Sequence, residues 1–351
     1  MSEPAMTDAI TPIEPRAEAA ERRAGGTMRF VAARLGGAAA SLLLVVVLGF
    51  LLFRVIPGDP VRTMTRGRPV SPEQLAELRA RLGLDRPLLE QFVSYLGRLA
   101  HGDLGVSYQY SRPVAALVVE RLGPTVLLVG TATVIAVVLG LWLGARAAWR
   151  RGSGFDRAVT GIAVTLWSVP TFWLGLIVLM VFAVGAGPIP GLFPTGGMTS
   201  PDTPPGALAH AADVAHHLVL PCLTLVAVIY AQYLLVMRSS LVEEMHADYL
   251  TTARAKGLRE DLVRRRHAVP NALLPTVTLV FLHLGLVVSG AVTVETVFSW
   301  PGLGLLTYEA LQVPDLPLLQ GTFLVLAGAV VAMNLVAELL YRALDPRVRT
   351  P

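Results

Sequence analysis

Ionisable side chains inside long apolar runs are the residues of this chain whose type and place could do chemistry, because charge in such a run often marks an ion or proton pathway. Four occur, at Arg54, His283, Glu295 and Glu338. Three of them stand near the ends of their runs, where water or a snorkelling side chain explains them. Only His283 stands deep in a run, and no carboxylate lies at relay spacing beside it. A His283 packed against neighbouring helices is therefore favoured over a proton relay.

Other signals for catalysis are absent from the sequence. It has no glycine-rich loop followed by Lys and Ser/Thr, so the chain should not hydrolyse a nucleotide itself, and it has no H-E-x-x-H metalloprotease motif. Adjacent His216 and His217 would point about 100° apart on a helix and make a poor chelating pair. The single cysteine, Cys222, excludes a disulfide framework or a multi-cysteine metal site. We expect no enzyme activity, no cofactor and no metal.

Composition indicates an integral membrane protein, with the lipid bilayer as its surroundings. Hydrophobic residues make up 54% of the 351 residues, charged residues only 15%, and mean hydropathy is +0.59. Soluble domains carry about 25% charged residues. The net charge of +4 is modest, so a nucleic-acid partner is not expected.

The elements that must position any site are membrane spans. About 20 apolar residues, at about 1.5 Å each, cross a hydrocarbon core of about 30 Å. Pro170 interrupts the third apolar run, where we expect a kink. Six runs meet the length test: 36–56, 125–145, 158–185, 218–237, 276–298 and 318–341. The predicted fold is all-α and polytopic, with six transmembrane helices.

The distribution of Lys and Arg predicts the orientation of these spans. The 146–157 loop holds four Arg, and the 248–275 segment holds six Lys or Arg, whereas the loops 186–217 and 299–317 hold none. Because basic loops stay on the cytoplasmic side, the first two segments and both termini are predicted to be cytoplasmic. We therefore expect a multi-pass membrane protein with both termini on the cytoplasmic side.

Two further regions complete the predicted organisation. Residues 1–27 lack apolar periodicity and are predicted to be a disordered cytoplasmic extension, with residues 28–351 forming the transmembrane domain. The outer loop 57–124 is predicted to be helical. Ser71 and Gln74 form a capping box before one helix that should stop at Gly83, and a second helix should cover residues 87–99. Two interpretations stay open: these helices cover the outer mouth of the membrane domain, or the segment is a solvated loop that only packs on its own membrane domain.

The loop 238–275 has helical patterning without membrane character. Asp248 is a candidate N-cap, the helix should run to Lys256, and Gly257 suits the left-handed position that ends a helix. A second helix should cover residues 259–268, with Leu262 and Val263 as apolar contacts and Pro270 as its stop. Three interpretations remain open from the residues alone: a solvated loop, a basic surface on anionic lipid, or a docking element for a soluble partner.

A family resemblance favours the docking interpretation. TTARAKGL, followed by HAVPNALLPTVT, resembles the EAA loop of ABC-importer permeases in its dipeptide/oligopeptide/nickel form. Thr251 and Thr252 stand where the general signature has Glu and Ala, which resembles the peptide subfamily. The match extends in order over residues 28–349. Further stretches that carry it are FRVIPGDP, ELRARLGLDRPLLEQFVSYL, HGDLGVSYQYSRPV, VETVFSWPGLG and LDPRVR.

The resemblance implies a type I ABC-importer permease that transports di- or oligopeptides or a related solute. It implies three kinds of partner: a homologous second permease subunit, two cytoplasmic ATPase subunits and an extracytoplasmic solute-binding protein. ATP-driven movement of the ATPase subunits would then reorient the pore through the coupling loop. The residues that it assigns to this coupling are Tyr249, Thr252, Ala253, Ala255, Lys256, Gly257, Leu258, His267, Asn271 and Pro275.

Two other classes of function stay open as alternatives. One is a self-sufficient secondary transporter that uses His283, and the other is a membrane scaffold or receptor whose basic loop binds lipid. The residues alone do not assign the triplet Arg264, Arg265 and Arg266, for which lipid contact is the simplest explanation.

Overall fold

The computed structural model describes residues 16–55, 71–81, 84–186, 189–273, 276, 280 and 291–344. In chain order, the named helices are α1 (Arg16–Val55), α2 (Pro72–Arg81), α3 (Leu88–Ala100), α4 (Val114–Trp149), α5 (Gly154–Ser168), α6 (Thr171–Leu179, extended by a π-turn over Met180–Val184), α7 (Ala207–Glu244), α8 (Asp248–Ala255), α9 (Glu260–Leu262, extended by a π-turn over Val263–Ala268), α10 (Leu303–Gln312) and α11 (Leu316–Leu344). Residues 269–273 and 291–297 are also helical.

The described part of the chain is mostly helical, as predicted. Its strands are β1 (Gly185–Ala186) and β2 (Ile189–Pro190), which pair antiparallel and make a minimal hairpin between α6 and α7. Among the described residues, four helices are long and apolar enough to cross a membrane, and there are up to five spans if one bent helix pair counts as a single span. Most of the predicted span 276–298 lies outside the described residues, so the total of six spans stays a prediction.

The third predicted span is broken more sharply than a kink. The helices Gly154–Ser168 and Thr171–Val184 meet at an angle of 100°. Val169 and Pro170 are both extended, with ψ angles of 130° and 127°. The cause is local, because the ring of a proline disfavours helical geometry at the residue before it. The bend is therefore larger than the predicted kink, and the two helices meet at an extended joint; that they form one span stays a prediction.

Helix α1 begins earlier than the first apolar run suggested. It starts at Arg16, within the 1–27 stretch for which disorder is predicted. Ala, Glu and Arg are strong helix formers and dominate this stretch after Pro15, which explains why the helix continues backwards from the span. The prediction of disorder is corrected for the backbone from Arg16, and residues 1–15 lie outside the described part.

Two helices lie in the loop before the second span, as predicted. Ser71 and Gln74 form a reciprocal capping box: the Gln74 N–H donates to Ser71 Oγ at 3.3 Å, and the Ser71 N–H donates to Gln74 Oε1 at 3.0 Å. Helix α2 ends at Arg81, and Gly83 lies outside the described residues. The second span is longer than predicted, because α4 begins at Val114 and contains Pro124. The outer loop therefore ends at residue 113, eleven residues earlier than the predicted end at 124.

Helix α3 packs on the membrane helices α1 and α11. The Phe50 ring of α1 lies 5.1 Å from Phe92 and 5.7 Å from Tyr95, measured between ring centroids. Leu324 of α11 completes this buried cluster. Leu88, at the start of α3, is 60% exposed. The apolar stripe of α3 thus fixes the loop to the membrane domain.

Helices α4 and α7 form the most extensive helix pair in the described structure. Two glycines one turn apart, Gly140 and Gly144, bring the backbones together. A Cβ on Gly140 would lie 2.7 Å from the Tyr230 carbonyl oxygen, and a Cβ on Gly144 would lie 2.5 Å from the Leu234 carbonyl oxygen. Small residues at this spacing allow close approach of membrane helices. We call the end of this pair that carries Arg146 and Arg238 the basic side.

Candidate functional site

The helix-turn-helix unit of residues 248–273, here the basic loop, is anchored on the basic side of the α4–α7 pair. Leu250 and Val263, one from each arm, are fully buried. They belong to one apolar cluster with Met237 and Leu241 of α7 and Ala148 of α4. Burial of such side chains contributes about 1.5–3 kcal/mol each. The basic loop is therefore joined firmly to the two membrane helices.

Gly257 forms the turn between the two arms. Its φ angle is +79°, the left-handed region predicted for it. The Gly257 N–H donates to the Arg254 carbonyl at 2.9 Å and the Leu258 N–H to the Ala253 carbonyl at 3.3 Å, the hydrogen-bond pattern of a Schellman helix end. No atom lies within 4 Å of a Cβ built on Gly257. Backbone conformation, and not internal crowding, is what requires glycine here.

The ends of both arms differ from the predictions. Ala247 is the N-cap of α8, and Asp248 occupies the first turn, where its charge suits the helix dipole without a side-chain cap. Pro270 does not stop the second arm, which continues through residues 269–273. The π-turn Val263–Ala268 precedes it. A proline removes one helical hydrogen bond and crowds the preceding turn, so a widened turn lets the helix continue.

Hydrogen bonds around Tyr249 tie the two arms together. The Tyr249 hydroxyl donates to the Glu244 carboxylate, and Asn271 Nδ2 donates to Tyr249 Oη at 2.9 Å and to the His267 carbonyl at 3.2 Å. Partial burial and the hydrogen bond to Glu244 raise the pKa of Tyr249 above its usual value. The phenol therefore stays protonated and acts as a structural donor.

The predicted coupling residues differ in their surroundings in the structure. Ala253 is buried, 7% exposed, and packs into the chain's own apolar cluster, so it is not available to a partner. Tyr249, His267 and Asn271 hold the arms together, and Pro275 lies outside the described residues. The residues that form an exposed surface around the turn are Thr252, Ala255, Lys256, Gly257 and Leu258. Leu262, predicted to be a buried contact, is 41% exposed.

An ion pair that sequence reasoning missed lies beside the basic loop. Arg238 of α7 donates two hydrogen bonds, of 2.6 and 2.8 Å, to the carboxylate of Asp156 in α5. The Asp156 side chain is only 3% exposed, and its carboxylate also accepts from the Gly152 N–H at 3.0 Å. Bidentate pairs of this kind are strong and directional. The two residues are 82 positions apart, and nothing local in the sequence joins them.

Glu295 has a different environment from the one predicted. It is fully buried and does not snorkel. Its carboxylate accepts hydrogen bonds from Thr125 Oγ1 of α4 at 2.7 Å and from the Gly304 N–H of α10 at 2.7 Å. A Cβ on Gly302 would overlap this carboxylate. The VETVFSWPGLG stretch therefore forms a buried latch that joins residues 291–297 and α10 to α4, on the side opposite the basic loop.

A second polar clamp holds the loop before α4 on that opposite side. Asp315, 1% exposed, accepts from Ser107 Oγ at 2.6 Å and from the Gln109 N–H at 3.0 Å. Tyr110 Oη donates to Glu309 at 2.8 Å. Burial and this hydrogen bond raise the pKa of Tyr110 to about 12. The HGDLGVSYQYSRPV stretch is thus fixed to the α10–α11 connection.

The remaining ionisable candidates do not form a reactive centre in the described structure. The His216 ring contacts the Leu192 carbonyl at 3.1 Å, and the His217 ring contacts the Asp213 carbonyl at 2.9 Å. Glu338 pairs with Arg34 at 3.1 Å, which joins α11 to α1. Among the described residues, no group of three or more His, Cys, Asp or Glu is arranged to hold a metal. His283 and the Arg54 side chain lie outside the described part.

Comparison with protein families gives two adjoining matches. The family described as "Binding-protein-dependent transport system inner membrane component" matches residues 136–350. The family described as "Binding-prot-dependent transport system membrane comp, N-term" matches residues 27–129. The first match includes the whole basic loop and the latch around Glu295.

Curated relatives are similar over almost their full length. The dipeptide transport system permease protein DppB of Escherichia coli (strain K12) is 37% identical over 335 residues, covering 92% of this chain and 99% of the relative. The di/tripeptide transport system permease protein DppB of Pseudomonas aeruginosa is 37% identical over 332 residues, with the same coverage. The glutathione transport system permease protein GsiC of Escherichia coli O6:H1 is 37% identical over 323 residues, again covering 92% and 99%.

Proposed function

Because this chain belongs to the family of binding-protein-dependent transport system inner membrane components, as an ABC-importer permease of the peptide family, we propose that it imports small peptides with energy from separate ATPase subunits that dock on the basic loop. The observation that carries this proposal is the exposed turn around Gly257, held on a unit that is buried into α4 and α7. The membrane spans supply the pore half, and the turn supplies the contact surface.

The docking surface consists of the exposed residues Thr252, Ala255, Lys256, Gly257 and Leu258. Its small side chains permit close approach to a partner groove, and Leu258, 37% exposed, offers an apolar contact. Lys256 adds one positive charge without a carboxylate partner among the described residues. A helix end with an apolar centre and a small polar rim suits insertion into a groove of a soluble subunit.

Movement of the docked turn would pass to the pore through packed contacts. Leu250 and Val263 pack against the ends of α4 and α7. At Gly140 and Gly144 the backbones of these two helices are in close contact, so the helices move together. At about 1.5 Å per residue, the 38 residues of α7 extend about 57 Å. The Arg238–Asp156 pair adds α5 to the moving unit. A packed unit of this kind switches between discrete positions and does not deform gradually.

The proposed substrates are di- and tripeptides, including glutathione-sized compounds, because those are the solutes that the relatives' names give. Nickel chelates are the second candidate, from the family form of the basic loop. The proposed partners are a homologous permease subunit, two ATPase subunits on the cytoplasmic side and an extracytoplasmic solute-binding protein. Both termini and the basic loop are proposed to face the cytoplasm, in accordance with the basic residues of the 146–157 loop and the basic loop.

The test uses two substitutions in the docking surface and one matched control. Gly257→Trp adds bulk and about 1 kcal/mol of backbone strain at a positive φ, whereas Ala255→Trp adds bulk on a helical residue without strain. Gly152 also has a positive φ, +82°, and open space around it, but it lies in the α4–α5 turn. Gly152→Trp therefore controls for the same strain and bulk at a turn outside the docking surface.

Each variant is purified with its partner subunits, and ATPase retention and substrate-stimulated ATP hydrolysis are measured. We expect both docking-surface variants to lose these activities at least tenfold and Gly152→Trp to retain them. Normal association in both docking variants would refute the docking surface. Peptide uptake that continues without ATP but stops when the proton gradient is collapsed would instead support a secondary transporter.

A further inference from the structure

A groove separate from the docking surface lies between α4 and the second arm of the basic loop. Its volume is about 570 Å³, within the range of about 300–1,000 Å³ that holds a small molecule. Its floor is apolar and is formed by Val138, Leu141 and Trp142 of α4 with Val269 and Leu273 of the arm. Val138 is 63% exposed and Trp142 is 55% exposed. The floor therefore opens toward the surroundings of the helices, and the chain's own described residues do not cover it.

The rim of the groove is positively charged. Arg146 of α4 and Arg264 and Arg265 of the arm line it. Arg146 lies over the Trp142 ring, with 5.6 Å from Cζ to the ring centroid, and Arg264 lies over the Trp149 ring at 5.4 Å. Stacking on an aromatic face leaves the in-plane N–H groups of a guanidinium free to donate. Arg146 and Arg264 are thus held in place with donors available, and Arg265 lines the same rim.

Nearby carboxylates do not neutralise this rim. In the described structure, Asp156 pairs with Arg238, Glu260 with Arg254, and Asp261 with Arg259. Among the described residues, no carboxylate pairs with Arg146, Arg264 or Arg265. Three guanidinium groups without a carboxylate partner, beside an apolar slot, suit an anion that also carries an apolar part.

The length of the groove along α4 suits a site that begins at the membrane interface and reaches into the hydrocarbon core. Val138 lies eleven residues before the end of α4 at Trp149, which is about 16 Å along the helix. The groove therefore extends from the basic side into the depth of the hydrocarbon core, with Trp142 at the level where indole rings favour membrane interfaces. An amphiphile with one charged end and one long apolar end matches both parts.

We infer that this groove binds an anionic phospholipid, with its headgroup phosphate at Arg146, Arg264 and Arg265 and one acyl chain along Val138 and Leu273. Occupation would hold the second arm of the basic loop against α4 and fix the position of the unit that carries the docking surface. This site depends on the chain spanning a membrane and does not depend on the ATPase assignment.

The test is photolabelling of the full-length chain, purified with its partner subunits in phosphatidylcholine nanodiscs. The probe is phosphatidylglycerol with a diazirine in its acyl chain, and labelled peptides are mapped by mass spectrometry. We expect labels in residues 138–145 and 269–273, displaced by unlabelled phosphatidylglycerol. Phosphatidylcholine with the same acyl chains and free glycerol phosphate should not displace them.

Charge variants test the rim. At about 1 kcal/mol per basic residue near a membrane surface, R264Q/R265Q should weaken labelling about thirtyfold and R146Q about fivefold. R266Q is the matched control, because Arg266 is the next residue, is exposed and does not line the groove. It should change labelling less than twofold.

Three results would overturn the inference. The first is equal displacement by phosphatidylcholine, which would show an unspecific acyl contact. The second is a loss in R266Q as large as that in R264Q/R265Q, which would show general surface charge. The third is lipid labelling of partner-subunit peptides with none in residues 138–145 and 269–273, which would show that a partner covers the groove. Loss of ATPase association in Gly257→Trp leaves the expected labelling unchanged, so the two proposals fail separately.

Discussion

Gly144→Ala is expected to destabilise the protein although alanine is the better helix former. The new Cβ would lie 2.5 Å from the Leu234 carbonyl oxygen and 3.0 Å from Met237 Cβ. The first neighbour is backbone, so no side chain can turn away, and α4 and α7 must separate by about 0.5–1 Å. A gap of that size forfeits about a quarter to a half of each van der Waals contact across it.

The size of the effect follows from the extent of this contact. Taking this contact as about 40 atom pairs at about 0.1–0.2 kcal/mol each, it represents about 6 kcal/mol, of which the separation loses about 1.5–3 kcal/mol. Replacing glycine by alanine in a helix returns about 1 kcal/mol. The net cost is therefore about 0.5–2 kcal/mol. Gly130→Ala is the matched control on the same helix, because nothing in the described part of the chain lies within 4 Å of a Cβ built there.

The assay is the temperature at which half of the detergent-solubilised protein is lost from the monodisperse chromatographic peak. We expect this temperature to fall by several degrees for Gly144→Ala and to stay equal or rise slightly for Gly130→Ala. If Gly144→Ala were as stable as Gly130→Ala, α4 and α7 would not be in backbone contact, and the transmission of movement through this pair would be refuted.

Three further predictions concern the polar contacts. Asp156→Asn weakens the bidentate pair with Arg238 and should lower the free energy of unfolding by about 1.5–3 kcal/mol. In a double-mutant cycle with Arg238→Gln the two losses of stability should not add, and additive losses would show that the pair does not form. Thr125→Val removes a hydrogen bond to buried Glu295 and should lower the thermal stability by about 2 kcal/mol; an unchanged melting temperature would show that the latch is absent. Tyr249→Phe should cost about 1 kcal/mol locally and speed amide exchange across α8 about fivefold, with unaltered exchange contradicting the bridge between the arms.

Membrane character, the helical loop before the second span and the turn at Gly257 were all predictable from the sequence. Each depends on residues that are close together along the chain. The capping box of Ser71 and Gln74 spans three residues, and the Schellman turn involves neighbours of Gly257. Where such patterns failed, the competing effect was also local, as with the extended joint at Pro170 and the π-turn before Pro270.

Contacts between distant segments were decided only by the tertiary structure. Composition gave no reason to choose between a snorkelling Glu295 and a buried one, because its partner Thr125 is 170 residues away. The same holds for Asp156 with Arg238 and for Ser107 with Asp315. Ala253, which the resemblance assigns to the coupling, is another case: only the fold shows that its side chain packs into the apolar cluster.

The sequence by itself determined that this chain is an apolar membrane protein with a basic, glycine-turned loop, because hydropathy and backbone preference act residue by residue. The tertiary structure decided which face of that loop is free, which arginines are neutralised by carboxylates and which remain open beside the groove. Those properties depend on which atoms meet across the fold, and pairing and burial, which set the energy of a charge, are established only when distant segments come together.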